Sequence, residues 1–157
     1  LMVSPADRLI GDFIEAGADY VSIHPGTTEN LEVSLLRIKS EGAKAGIVFN
    51  PDEEFYLPDS LTEIVDLILI MSVYPGFGGQ SFIDTSLDKV EAARMVIDRC
   101  ERPIRLQVDG GIKSSNIGEV AKAGADTFVA GTAIFGTSDY AATIKELKQK
   151  VAEVNDA

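Results

Sequence analysis

The chain has 157 residues, 45% of them hydrophobic and 25% charged, the balance of a soluble globular protein and not of a disordered one. Its 14 basic and 25 acidic side chains leave a net charge of −11, which argues against a nucleic-acid partner, since binding a phosphate backbone needs a basic face. No apolar run reaches the ~18–20 residues of a membrane span, so no membrane partner is expected. The single cysteine, Cys100, excludes an internal disulfide and suits a reducing cytoplasm.

In chain order, Leu1-Met2-Val3 reads as the end of a strand and is too short for a signal peptide. Ser4-Pro5-Ala6-Asp7 has the form of a helix start: a cap, a proline at the first position and an acid near the N-terminus. Leu9, Ile10, Phe13 and Ile14 then make a helical stripe. Ala18–His24 predicts a strand, Glu29–Glu41 a helix stopped by Gly42, and Ala45–Phe49 a second strand. A short helix is expected within Asp52–Thr62, with Pro58 limiting it. In Asp66–Val73 the run Leu67-Ile68-Leu69-Ile70-Met71 lacks polar alternation, the mark of a parallel strand covered on both faces. Asp84–Arg99 predicts a long helix that turns Cys100 inward as a structural thiol. Ile104–Val108 is a strand, Ser115–Ala123 a helix and Asp126–Ala130 a strand. A last helix over Tyr140–Val154 is expected to bury Ile144, Leu147 and Val151.

Glu15-Ala16-Gly17-Ala18-Asp19 and Lys122-Ala123-Gly124-Ala125-Asp126 repeat one helix-to-strand junction, echoed more loosely by Ser40-Glu41-Gly42-Ala43-Lys44. Repeated junctions of this kind mark βα units. The expected fold class is therefore α/β, a single domain over 1–157. Five strands and the end of a sixth suit a (β/α)8 TIM barrel lacking about the first two and a half βα units.

Three glycine clusters follow three successive strands: Gly76-Phe77-Gly78-Gly79-Gln80, Gly110-Gly111 and Gly131-Thr132. Loops after parallel strands open on one face, where bare amides can cradle a phosphate. Tight βα turns would also use glycine. Asp109 ends its strand at that face and reads as a proton shuttle, a metal ligand or a cap on the neighbouring loop. Asp66 starts its strand and reads as structural. His24, the only histidine, faces the same mouth and reads as structural or catalytic. Met2 and Met71 read as core filling or as an apolar wall at the reacting centre.

The stretch Leu69–Phe82, with Val73-Tyr74-Pro75-Gly76-Phe77-Gly78-Gly79-Gln80 at its centre, resembles the signature of the ribulose-phosphate 3-epimerases. Val108–Ile112, Val129–Phe135, Val21–Pro25 and Lys44–Pro51 resemble the same family. The resemblance implies a (β/α)8 barrel that interconverts D-ribulose 5-phosphate and D-xylulose 5-phosphate, a cytoplasmic enzyme of the pentose phosphate pathway or the carbon-fixing cycle. It implies two aspartates exchanging the C3 proton and one divalent metal ion, zinc or iron, held by them with two histidines. Asp109 matches one aspartate, both as acid/base group and as metal ligand. Gly76, Phe77, Gly78, Gly79, Gly110, Gly111, Gly131 and Thr132 match the substrate and phosphate loops, and Met2 and Met71 the methionines at the reacting centre. The other aspartate and both histidines would lie upstream of Leu1, so the 157 residues alone are expected to be inactive. Tyr74 stands where the family has asparagine, Gly26 where glutamate is common, and Thr132 where serine is frequent. A six-carbon ketose-phosphate epimerase acting on allulose 6-phosphate and a non-catalytic phosphosugar-binding module are the other readings. The implied partner is a small phosphorylated ketose, with a homo-oligomer possible in this family.

Overall fold

The computed structural model describes residues 1–155. Five parallel strands lie in sequence order: β1 (Tyr20–Ile23), β2 (Lys44–Phe49), β3 (Leu67–Met71), β4 (Arg105–Asp109) and β5 (Thr127–Val129). Helices connect them: α1 (Ile10–Glu15) leads into β1, α2 (Leu31–Ser40) follows it, and α3 (Asp59–Thr62), α4 (Ser86–Ile97) and α5 (Ile117–Lys122) precede β3, β4 and β5. The short α6 (Thr132–Phe135) and the long α7 (Tyr140–Asn155) close the chain.

The junctions work as their sequence suggests. Gly17, Gly42 and Gly124 have φ of 101°, 98° and 114°, the left-handed conformation that ends α1, α2 and α5. Asn30 caps α2 by accepting from the Val33 N–H.

Alternation assigns the two faces of the sheet. Val21, Ile23, Ala45, Ile47, Ile68, Ile70, Leu106 and Val108 pack with Leu35, Ile38, Val90, Ala93 and Ile97 of the helices into the main core. The other face holds a smaller apolar cluster of Val48, Leu67, Leu69, Met71 and Val73. Every residue of β3 is therefore buried, as its unbroken apolar run predicts. Register lines up the inner face in rows across the strands. Val48, Leu69, Gln107 and Thr127 form one row, and Met71, Asp109 and Val129 the next.

Several expectations are corrected. The Ser4-Pro5-Ala6-Asp7 segment does not open a helix, which starts at Ile10. Ala6 N–H donates to Thr27 O, and the Asp7 carboxylate accepts from Thr28 and Ser34, tying this segment to the loop after β1. Leu1-Met2-Val3 forms no strand, although the Leu1 amino group donates to Ser22 O of β1. The helix expected within Asp52–Thr62 is only α3. Pro58 precedes it in extended conformation, and Phe55 instead stacks edge-on against Phe49 at 5.0 Å. Ile144 is exposed, α7 packing chiefly on α5 and α6; Leu147 is buried and Val151 half-buried. Cys100 is half-buried, its Sγ donating to Val96 O at 3.3 Å.

Candidate functional site

A cavity of about 760 Å³ opens at the C-terminal ends of β3, β4 and β5. The loop after β3 contributes Gly76, Phe77, Gly78 and Gly79; β4 and its loop contribute Asp109, Gly110 and Gly111; the turn after β5 contributes Gly131 and Thr132. Met71 lines it from the sheet and Met2 from the N-terminal segment. Asp109, the three glycine loops and both methionines, all expected at the site from sequence, are thus brought to one cavity. His24 does not line it: it directly follows β1 and is buried, and burial pushes its imidazole below the ordinary value.

The glycines fall into two kinds. Gly110 (φ +123°) and Gly111 (φ +62°) are demanded by packing. A Cβ on Gly110 would meet Val73 Cγ2 at 2.6 Å, and one on Gly111 would meet Phe82 N at 2.4 Å. Gly78 and Gly131 have open space where a Cβ would stand, so packing does not explain them. Among the described residues, the backbone N–H groups of Gly78, Gly79, Gly111, Gly131 and Thr132 find no backbone acceptor. Unclaimed amides on one cavity wall are what an anion takes up.

The loop after β3 has a defined shape. Gln80 Nε2 donates to Tyr74 O at 2.7 Å and to Phe77 O at 2.9 Å, and Ile83 N–H donates to Ser72 O at 2.9 Å across its neck. Tyr74 and Phe77 stand exposed on it at the mouth, opposite Phe135, which stacks edge-on against Tyr140 at 5.6 Å.

Asp109 lies on the inner face between Met71 and Val129. Burial pushes its carboxyl above the ordinary carboxylate value, and no cation or hydrogen-bond donor among the described residues offsets that. It is the carboxylate in the cavity wall. Among the described residues, no group of three or more His, Cys, Asp or Glu side chains converges as a metal-binding set.

Sequence reasoning gave no role to Val129, Phe135 or Ser72. Alternation along β5 could have placed Val129 beside Asp109. Phe135 belongs to α6, a helix too short to show periodicity. Ser72 lies within the signature stretch but carries no chemistry of its own to mark it.

Solved structures share this fold. The structure matches KGPDC from Streptococcus mutans in complex with D-R5P with a TM-score of 0.70 at 14% identity, covering 94% of this chain and 68% of that one. It matches 3-hexulose-6-phosphate synthase from Salmonella typhimurium with a TM-score of 0.64 at 22% identity, covering 94% and 68%. These likenesses define an α/β fold with TIM-barrel-like relatives. The particular family follows from sequence: residues 1–135 match the Ribulose-phosphate 3 epimerase family, and the chain belongs to it. The chain is 54% identical over 140 residues to a ribulose-phosphate 3-epimerase of Serratia marcescens, covering 89% of this chain and 67% of the relative. It is 50% identical over 155 residues to that of Escherichia coli K12, covering 99% and 69%. No helix among the described residues is long and apolar enough to cross a membrane.

Proposed function

We propose that this protein interconverts D-ribulose 5-phosphate and D-xylulose 5-phosphate by moving the proton on C3, with Asp109 as one of the two acid/base groups. The observation that carries this reading is an unpaired, half-buried carboxylate in the same cavity as three loops with unclaimed amides. Family membership and curated relatives of that name support it.

The phosphate sits against the amides of Gly78, Gly79, Gly111, Gly131 and Thr132, and so places the reacting carbon, two bonds from C5, relative to Asp109. The C3 proton is acidic because it lies α to the C2 ketone. Asp109 takes or returns that proton on one face, and a second acid on the opposite face completes inversion. A carboxylate with a raised pKa is suited to both halves of such an exchange. Met71, buried in the sheet, and the more exposed Met2 and Val129 line the cavity beside Asp109 and give the reacting carbon an apolar flank.

The divalent zinc or iron ion that the resemblance implies is not accommodated by these residues alone. Asp109 supplies one donor, and no other His, Cys, Asp or Glu among the described residues joins it as a metal-binding set. The five strands belong, in this reading, to an eight-stranded barrel. The shares of 67% and 69% of the epimerases that the chain spans support this, as does the nearest-neighbour parallel order. The 157 residues by themselves are then inactive, and the opposite acid and remaining metal donors come from elsewhere in the barrel.

The test is to supply the whole gene product with metal and follow exchange of the C3 proton into deuterated water, on pentulose and on hexulose phosphates. Exchange on the five-carbon substrate supports the reading. Exchange on the six-carbon ketose alone, or phosphate binding without any exchange, overturns it.

A further inference from the structure

We propose that Ser72 is a positioning residue of this site: its buried hydroxyl holds the peptide planes on either side of Gly110, and so sets where the Asp109 carboxylate and the Gly111 N–H stand. Ser72 directly follows β3 and is fully buried. Its N–H donates to Asp109 O at 2.9 Å, extending the ladder by one rung. Its Oγ then lies 3.0 Å from Asp109 O and 2.7 Å from Gly110 O, so one hydroxyl proton is shared between two successive carbonyls.

Peptide geometry gives this contact its consequence. In a trans peptide the carbonyl and the following N–H point in opposite directions, and the only cis bond among the described residues is Ser4–Pro5. With the Gly110 carbonyl drawn to Ser72, the Gly111 N–H is turned away from it, and there it meets no acceptor. With the Asp109 carbonyl held by two donors, ψ of Asp109 is fixed, and so is the direction in which its side chain leaves the strand. Two consecutive glycines have little conformational restraint of their own. An anchor from the neighbouring strand supplies it.

Only the turnover readout rests on the epimerase reading; the geometry does not. The experiment uses the whole gene product and S72A, with S86A as the control. Ser86 is equally buried, but its Oγ has no hydrogen-bond partner, so S86A removes a buried hydroxyl without removing an anchor. Displacement of a reacting group by about 1 Å can cost 100-fold in rate, and S72A is expected to lose about 10- to 100-fold in kcat at temperatures where it is fully folded. Inorganic phosphate should shift the Gly111 amide resonance in the parent protein and in S86A, and shift it markedly less in S72A. If S72A does not fold, S72C is measured in the same way, because its thiol donates only weakly. Turnover within about twofold of the parent together with an unchanged phosphate response overturns the proposal. If the parent turns over neither pentulose phosphate, the epimerase reading fails. The phosphate response of Gly111 then decides the role of Ser72 alone: loss in S72A supports it and retention overturns it.

Discussion

The two ends of the sheet treat the same residue type in opposite ways. At the N-terminal end, Asp66 precedes β3 and is clasped by Lys39 Nζ at 2.8 Å, Arg102 Nη2 at 2.7 Å and the Ala45 N–H at 3.0 Å. Asp126 precedes β5 and accepts from Arg94 at 3.0 Å, Thr127 at 2.8 Å and the Leu106 N–H. At the C-terminal end, Asp109 is half-buried with no such partner. Burial raises Asp66 as it raises Asp109, but the hydrogen bonds from Lys39, Ala45 and Arg102 and the Lys39 charge outweigh it and hold Asp66 below the ordinary value. The carboxylates at the base lock neighbouring strands together, whereas the one at the mouth keeps its lone pairs available. In the proposed function, stability and chemistry thus fall at opposite ends of the same strands.

Removing the mouth carboxylate should have the largest effect, and on activity alone. Asp109→Asn is expected to lower kcat by about 10²- to 10⁴-fold, the range of a general acid–base group. Its folded-state pKa lies above the unfolded value, so Asp109 favours folding below the unfolded pKa, and that contribution is lost as pH rises through the folded pKa. At neutral pH the uncharged variant should therefore melt no lower than the parent. A lower melting temperature would break the comparison. Asp109 must be ionised to take the C3 proton and protonated to return it, so in the direction in which it acts as the base kcat/KM should fall as pH drops through its raised pKa.

The glycine pair after β4 should behave like the base although it lies at the mouth. Gly111→Ala forces a Cβ to within 2.4 Å of the Phe82 backbone at a left-handed φ and should cost about 3 kcal/mol of stability by denaturant titration.

At the base, Asp66→Ala should cost about 2–3 kcal/mol, because two partly buried cations and an amide lose their acceptor. Asp66 is held below the ordinary value, so its contribution is present above the unfolded pKa and lost as pH falls through the folded pKa; the variant should show a flatter acid-unfolding curve. Turnover per folded molecule should not change.

The smallest effect on folding is expected at Gly131. A Cβ there meets nothing, so Gly131→Ala should shift stability by no more than about 0.5 kcal/mol while weakening phosphate binding. Equal affinity for phosphate in variant and parent would remove that turn from the proposed site.

Much of this division is legible in the sequence because it follows from strand polarity. Once Leu67–Met71 is read as a buried parallel strand, Asp66 must lie at one end and the Gly76–Gly79 loop at the other. The positions of Asp109 and the glycine clusters follow from the same polarity. Local capping was less legible. Ser4-Pro5 has the composition of a helix start, but Asp7 bonds to Thr28 and Ser34, partners distant in sequence that no local pattern announces. Ile144 fits the helical stripe of α7, yet periodicity identifies a face without saying what covers it. The packing demand on Gly110 was hidden for the same reason, since it comes from Val73 in the loop after β3.

The Ile83–Ser72 hydrogen bond closes the neck of the loop after β3, and Gln80 fastens its interior. That makes the segment a cassette. Its ends are held together by that hydrogen bond, so residues added near its apex cost chiefly chain-closure entropy, about 0.6 kcal/mol for each doubling of length. Tyr74 and Phe77, the two aromatic side chains exposed on this cassette, can therefore be exchanged or respaced without disturbing the row that carries Asp109. In the proposed function, substrate preference can then drift through the loop while the floor around Asp109 stays as it is.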